Sequence, residues 1–192
     1  MQTLLHVLSN CNTSLDQGRY TWRHNSVLLH IVNTVRANLR EGFSLFSDLE
    51  GFLAPHGGVI PPHIIVTNLK PDLVIVDESS RTVVIMELTC PWDGNIDRSH
   101  EYKEGKYSAL VTDLSRTFRV RFYPVEVSVR GQVTKRNGAR LKSLLYDCCN
   151  NSKKLSRELI RGCSKIALLS SYSIFLARKE PSWGSPSPIV AR

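Results

Sequence analysis

Three carboxylates punctuate KPDLVIVDESSRTVVIMELTCPWD, residues 70–93. Asp72 follows a proline and opens an apolar run, Glu87 closes a second run, and Asp93 lies just beyond it. DLVIV and TVVIMELTC read as strands joined by the polar turn DESSRT. Folded back as an antiparallel pair, they make Asp72 and Glu87 neighbours. Two carboxylates so placed repel each other unless a cation neutralises them. An oxygen-rich, sulfur-poor donor set selects Mg²⁺ or Mn²⁺, with the backbone carbonyl of Leu88 as a natural further ligand. A metal held there polarises a phosphodiester and lowers the pKa of a bound water. A nearby lysine would orient that water or offset developing charge. EYKEGKY supplies two candidates, Lys103 and Lys106, on one face if the segment is helical. The plainer alternative is a strand-start aspartate, a solvent-facing glutamate and a wet helix face. Against it, Val83–Met86 and Leu88 surround Glu87 with apolar residues, where an acid without a partner is costly to bury.

The elements that must position these groups read as α-β-β-β-α-β followed by helices. RHNSVLLHIVNTVRANLREG, 23–42, carries Val27, Leu28, Ile31, Val32, Val35 and Leu39 at helical spacing. The turn-rich APHGGVIPPH, 54–63, breaks the chain before a short strand expected in HIIVTNL. DLVIV and TVVIMELTC follow, the latter apolar enough for a strand buried on both faces. A helix is expected from Ile96 to about Arg116. The alternating FRVRFYPVEVSVRGQV, 118–133, reads as a strand with Pro124 at a bend or an edge. NGARLKSLLYDCC and KKLSRELIRGCSKIALLSSYSIFLARK read as helices, and the Pro/Ser-rich EPSWGSPSPIVAR as a loose tail. The fold class is α/β, a mixed four-stranded sheet flanked by helices.

Composition narrows the setting. The 192 residues make one ordinary domain with room for a helical extension, and no apolar run approaches the ~18 residues of a membrane span. The N-terminus lacks the features of a signal peptide. Five cysteines without a CxxC pair argue against a disulfide framework and for a reducing intracellular location, nuclear or cytoplasmic. Residues 1–113 hold 9 basic and 13 acidic side chains, and residues 114–192 hold 16 basic and 4 acidic. An acidic half that suits a cation and a basic half that suits a polyanion point to nucleic acid.

These segments together, KPDLVIV, VVIMELTCPWD and EYKEGKY, resemble the restriction-like endonuclease domain of early-branching, site-specific non-LTR retrotransposons, a branch of the PD-(D/E)XK nuclease superfamily. RYTWRHNSVLLHI is similar to that family's Arg-His-Asn helix opening, and YPVEVSVRG to its later strand. The resemblance spans about residues 19–132 and implies a restriction-endonuclease-like αβββαβ core over 19–150. A C-terminal helical extension would cover 151–180 and a flexible tail 181–192. It implies metal ligation by Asp72 and Glu87. The superfamily's usual lysine, two residues after the second acid, is replaced by Thr89, so Lys103 or Lys106 would serve from the following helix. Asp93 would mark the helix entry or support the site. HVLSNC, with His6 and Cys11, resembles the second half of a zinc knuckle, which makes 1–18 a truncated remnant and implies a fragment of a retroelement.

The function implied is an Mg²⁺- or Mn²⁺-dependent DNA endonuclease that nicks a strand. Arg23, Arg119, Arg121, Arg130, Lys135, Arg136, Arg140 and Lys142 would contact phosphates. Two other functions suit the same residues: an inactive remnant that still binds nucleic acid, or an interaction domain whose basic helices bind an acidic protein.

Overall fold

A computed structural model describes residues 3–150 and 152–189. A π-helical turn, His6–Asn10, and a short helix α1, Asn12–Asp16, lead into α2, Arg19–Arg36. Then come β1, Ser44–Ser47, β2, Leu73–Asp77, and β3, Thr82–Thr89. A 3-10 turn, Asp93–Asn95, opens α3, Ile96–Leu114, and β4 covers Arg119–Glu126. Helices α4, Lys135–Cys148, and α5, Ser152–Leu176, follow.

The four strands form one mixed sheet in the order β1-β2-β3-β4. β2 pairs with β3 antiparallel, Leu73 opposite Met86 and Asp77 opposite Thr82. β3 pairs with β4 parallel, Thr82 opposite Arg119 and Glu87 opposite Pro124. β3 is therefore central, and its six residues Val83–Leu88 are all buried, as its unbroken apolar run requires. Pro124 lies on an edge strand, where its missing N–H interrupts no inner ladder. The turn between β2 and β3 is closed by the Asp77 carboxylate, which accepts from the Ser79 and Ser80 backbone amides.

The strands alternate strictly between two faces. Leu73, Ile75, Val84, Met86, Leu88 and Val125 pack against α2, α4 and α5. Val74, Val76, Val83 and Ile85 pack against Tyr107, Leu110 and Leu114 of α3. Period two thus sends Glu87, with Val83 and Ile85, toward α3. α5 is long and apolar enough to cross a membrane by length and composition. Here Leu159, Cys163, Ile166 and Ala167 bury its inner stripe in the same core as α2.

The structure differs from the sequence expectations in several places, among them β4, which ends at Glu126 within the strand expected over 118–133, and α2, which ends at Arg36 before Leu39. The first strand is Ser44–Ser47, and HIIVTNL is irregular. Prolines 61 and 62 precede that segment, Ile64 and Ile65 turn back to the Pro61 carbonyl, and Val66 is 87% exposed. Ile64, Ile65 and Leu69 still cover the α3 side of the sheet. Residues 181–189 are laid against α2 rather than free. Trp22 donates from Nε1 to the Pro186 carbonyl, Trp183 packs edge-on against Trp22 at 5.3 Å, and the Ile189 amide donates to Ser26. Residues 190–192 of the expected tail lie outside the described residues. The His6–Asp16 segment is likewise packed down, with Val7 and Leu8 buried against Trp22, Val129 and Ile174. All five cysteines are free thiols.

Gly131 fixes the passage from β4 to α4. Its φ is +80°, and a Cβ there would lie 2.5 Å from the Ser164 carbonyl oxygen of α5. Backbone strain and a clash with backbone act together, so Gly131→Ala is expected to lose roughly 2–4 kcal/mol. Urea denaturation measures it, with Gly105→Ala, which meets nothing within 4 Å in α3, as the control that loses nothing.

Candidate active site

The two acids meet where the strand pairing brings them together. Asp72 precedes β2, and its backbone amide donates to Glu87 Oε2 at 3.1 Å. In return Asp72 Oδ2 accepts from the Leu88 amide at 2.6 Å. The Asp72 carbonyl is anchored from the other side by the Ser47 hydroxyl at 2.6 Å and the Asp48 amide. Asp72 and Glu87 are both buried, at 9% and 3% exposure. The β1–β2–β3 pairing therefore locks both carboxylates at one end of the sheet.

Each acid has a cationic partner from a helix. Lys103, two turns into α3, places Nζ 2.5 Å from Glu87 Oε1. Burial raises the Glu87 carboxyl above its usual range, Asp72 adds to that, and the Lys103 ammonium opposes both. His24, near the start of α2, brings Nε2 to 3.3 Å from Asp72 Oδ2 and 3.3 Å from the Leu88 carbonyl. Burial works against its charge, yet the hydrogen bond and attraction to Asp72 win and push it up to about 9. The imidazolium is thus the form that faces Asp72 at neutral pH.

The geometry separates the two lysines. Lys103 is paired with Glu87, whereas Lys106 is exposed, with Nζ 3.2 Å from the Tyr107 hydroxyl and over its ring. Tyr107 is buried and donates to the Lys70 carbonyl at 3.1 Å. Burial and the Glu87 charge raise its phenol far above the normal range, so it stays a neutral donor.

Asp93 is apart from the acid pair. It opens the turn into α3 and pairs with Arg130, which also lies over the Trp92 ring. Beside it, Arg136 meets Asp97 at 2.7 Å, and Lys135 is exposed. Arg140 is half-buried, donating to the Pro124 carbonyl, with its two terminal nitrogens each 2.9 Å from a His100 ring nitrogen; His100 itself meets Glu126 at 3.1 Å. These four basic residues flank the end of the sheet that carries Glu87. Arg119, Arg121 and Lys142 do not belong to this group: Arg119 pairs with Thr82 at the opposite end, and Arg121 and Lys142 line a hollow against α5. Arg23 does not join the phosphate-facing set expected of it, because it is 3% exposed and its guanidinium is turned inward. Its guanidinium donates to the Leu8 carbonyl, Ser171 and the Cys90 carbonyl, tying the N-terminal segment and α5 to the end of β3.

Among the described residues, no group of three or more His, Cys, Asp or Glu side chains is disposed to hold a metal ion. That holds for His6 and Cys11 and for the acid pair alike. A cation at the acid pair would rest on the two carboxylates, the Leu88 carbonyl and water, a donor set of oxygens that suits a hard divalent ion. His24 was not singled out from the sequence. The RHN stretch contains it, but helical periodicity gives no sign that its ring turns onto a strand end 48 residues away.

No family model matches the chain, and no curated protein matches it.

Two outcomes test this electrostatic arrangement. Lys103→Ala leaves Glu87 buried without its cation and should lose roughly 2–4 kcal/mol of stability. Lys106→Ala should stay within about 0.5 kcal/mol, both read by chemical denaturation. His24 has a folded pKa above its ordinary 6.5. Its contribution is fully present below about 6.5 and is lost as pH rises through about 9. The stability difference between wild type and His24→Gln should therefore shrink by roughly 2–3 kcal/mol between those pH values.

Proposed function

We propose that the chain is a metal-dependent DNA endonuclease domain of the restriction-like kind found in site-specific non-LTR retrotransposons. The observation that carries the proposal is the convergence of Asp72, Glu87 and Lys103 at one end of the sheet. The order α2-β1-β2-β3-α3-β4 accords with the αβββαβ core of that superfamily. In this reading Asp72, Glu87 and the Leu88 carbonyl hold Mg²⁺ or Mn²⁺. An ion held there would supply a water of lowered pKa and polarise the scissile phosphate. Lys103 already lies against Glu87 and offsets negative charge developing on the phosphate. It replaces, from α3, the lysine that Thr89 lacks. Arg130, Lys135, Arg136 and Arg140 contact flanking DNA phosphates as the strand is bound for nicking.

A second reading, a remnant that binds nucleic acid without cleaving it, is favoured by one observation. His24 and Lys103 already neutralise the two carboxylates, so the fold needs no metal to keep both acids buried.

Supercoiled plasmid separates the two. Nuclease activity predicts nicking that requires Mg²⁺ or Mn²⁺. Asp72→Asn and Lys103→Ala should each slow it by about 100-fold or more, while Lys106→Ala should change it only severalfold. Binding of plasmid should persist in Asp72→Asn. Salt-sensitive binding with no nicking in either metal would establish the remnant instead.

A further inference from the structure

The basic half of the chain has a site of its own. α4, α5 and the outer side of β4 enclose three hollows that share walls. One of 660 Å³ is lined by Lys142, Lys153, Arg157 and Arg161. It joins one of 360 Å³ through Lys142 and Lys153, and that joins a third through Arg121, Tyr146 and Asp147. At the far end Arg161 also borders a 580 Å³ hollow with Lys165.

Four of these cations, Lys153, Arg157, Arg161 and Lys165, recur every fourth residue of α5. All four are exposed, and each step advances about 6 Å along the helix. The acids along the groove are mostly engaged. Asp147 accepts from the Tyr123 hydroxyl at 2.5 Å, and Asp77 closes the β2–β3 turn. Glu158 alone faces the α5 row without a hydrogen bond or ion pair among the described residues. Tyr146 is 70% exposed between Arg121 and Lys142, an aromatic face left open in a cationic groove.

The groove is separated from the acid pair by the sheet. It begins where Thr82 pairs with Arg119 and runs along α5 to Val133 and Ser164, whose hydroxyl donates to the Gly131 carbonyl beyond the end of β4. Glu87 turns toward α3, whereas the groove is walled by α4 and α5 on the opposite face.

We propose that this groove binds single-stranded nucleic acid, with the α5 row, Lys142 and Arg121 along its phosphates and Tyr146 stacked on a base. A run of cations tracking a backbone beside an open aromatic ring is the recognition chemistry of a single strand. The proposal goes beyond the nuclease reading and does not depend on it, because none of these side chains touches Asp72 or Glu87.

Fluorescence anisotropy of a labelled short oligo(dT) with the full chain, without divalent metal, tests it. Arg157→Ala/Arg161→Ala should weaken binding at least about tenfold and reduce the salt slope by about 1.4, from two phosphate contacts on a single strand. Arg157→Lys/Arg161→Lys should keep most of the affinity, which separates charge from fold. Tyr146→Ala should weaken oligo(dT) about fivefold or more by loss of stacking, and should leave inorganic polyphosphate binding unchanged. Asp72→Asn should bind oligo(dT) as wild type does, so loss of nicking and loss of groove binding are distinguishable. Equal affinity of wild type and the double alanine variant would overturn the proposal. So would tighter binding to a duplex of the same length, or equal binding to poly-glutamate.

Discussion

Glu87 sits at the end of the central strand, in the most apolar part of the chain, and it is ionisable. A charge there is tolerated only if other elements bring partners to it. The Asp72 amide arrives from β2, and the Lys103 ammonium arrives from α3. Both meet Glu87 only if β2 has folded back in the observed register and α3 has returned across the α3-side face. The Asp72–Leu88 hydrogen bond fixes the same register from the opposite direction. A slip of one residue would point Glu87 into the core beneath α2 and leave Lys103 without a partner. The acid pair and the sheet are therefore specified together.

The two carboxylates differ in how they are neutralised. Glu87 has a lysine on a flexible stem, which can turn from the carboxylate to a phosphate without moving backbone. Asp72 has an imidazole that also reaches the Leu88 carbonyl, two of the three oxygens that a cation at this place would use. A proton on His24 thus stands where part of a cation's charge would stand. That explains how the site is stable as it is.

Much of this was legible in the sequence, and the limits are instructive. The adjacency of Asp72 and Glu87 followed from strand pairing about DESSRT, because period-two alternation and a turn leave few alternatives. Helices were expected over α2, α3, α4 and α5, that of α2 from its apolar spacing. β1 did not, because SLFS is four residues with polar ends and owes its strand to pairing with β2. HIIVTNL has strand-like composition but is hemmed by prolines, and its apolar residues serve as a lid rather than a strand. The choice of Lys103 over Lys106 turned on helix phase relative to the sheet, which three-residue spacing does not encode. The burial of Arg23 was hidden for a related reason: a basic residue on a helix looks solvent-facing until the segment before it and α5 close over it.

The charge asymmetry of the chain acquires a spatial meaning from the topology. In a sheet whose central strand has an antiparallel neighbour on one side and a parallel one on the other, the end of β3 and the start of β4 fall at opposite ends. α3 carries the chain back between them and contributes Lys103 at one end and the approach to Arg119 at the other. The basic side chains of the second half consequently divide. Arg130, Arg136 and Arg140 are held at the acid end against Asp93, Asp97 and the His100–Glu126 pair, where they balance local charge. Arg121, Lys142 and the α5 row are left largely unbalanced along the α4–α5 face, with Asp147 only 3.9 Å from Arg121 as a weak counterweight. Unbalanced positive charge on one wall raises the local concentration of polyanions. Positive charge already paired with acids does so far less. A net charge of +8 therefore acts less through its total than through this division: in the proposed readings the paired cations at the acid end would position a strand for nicking, and the unpaired ones on the α4–α5 side would supply most of the attraction.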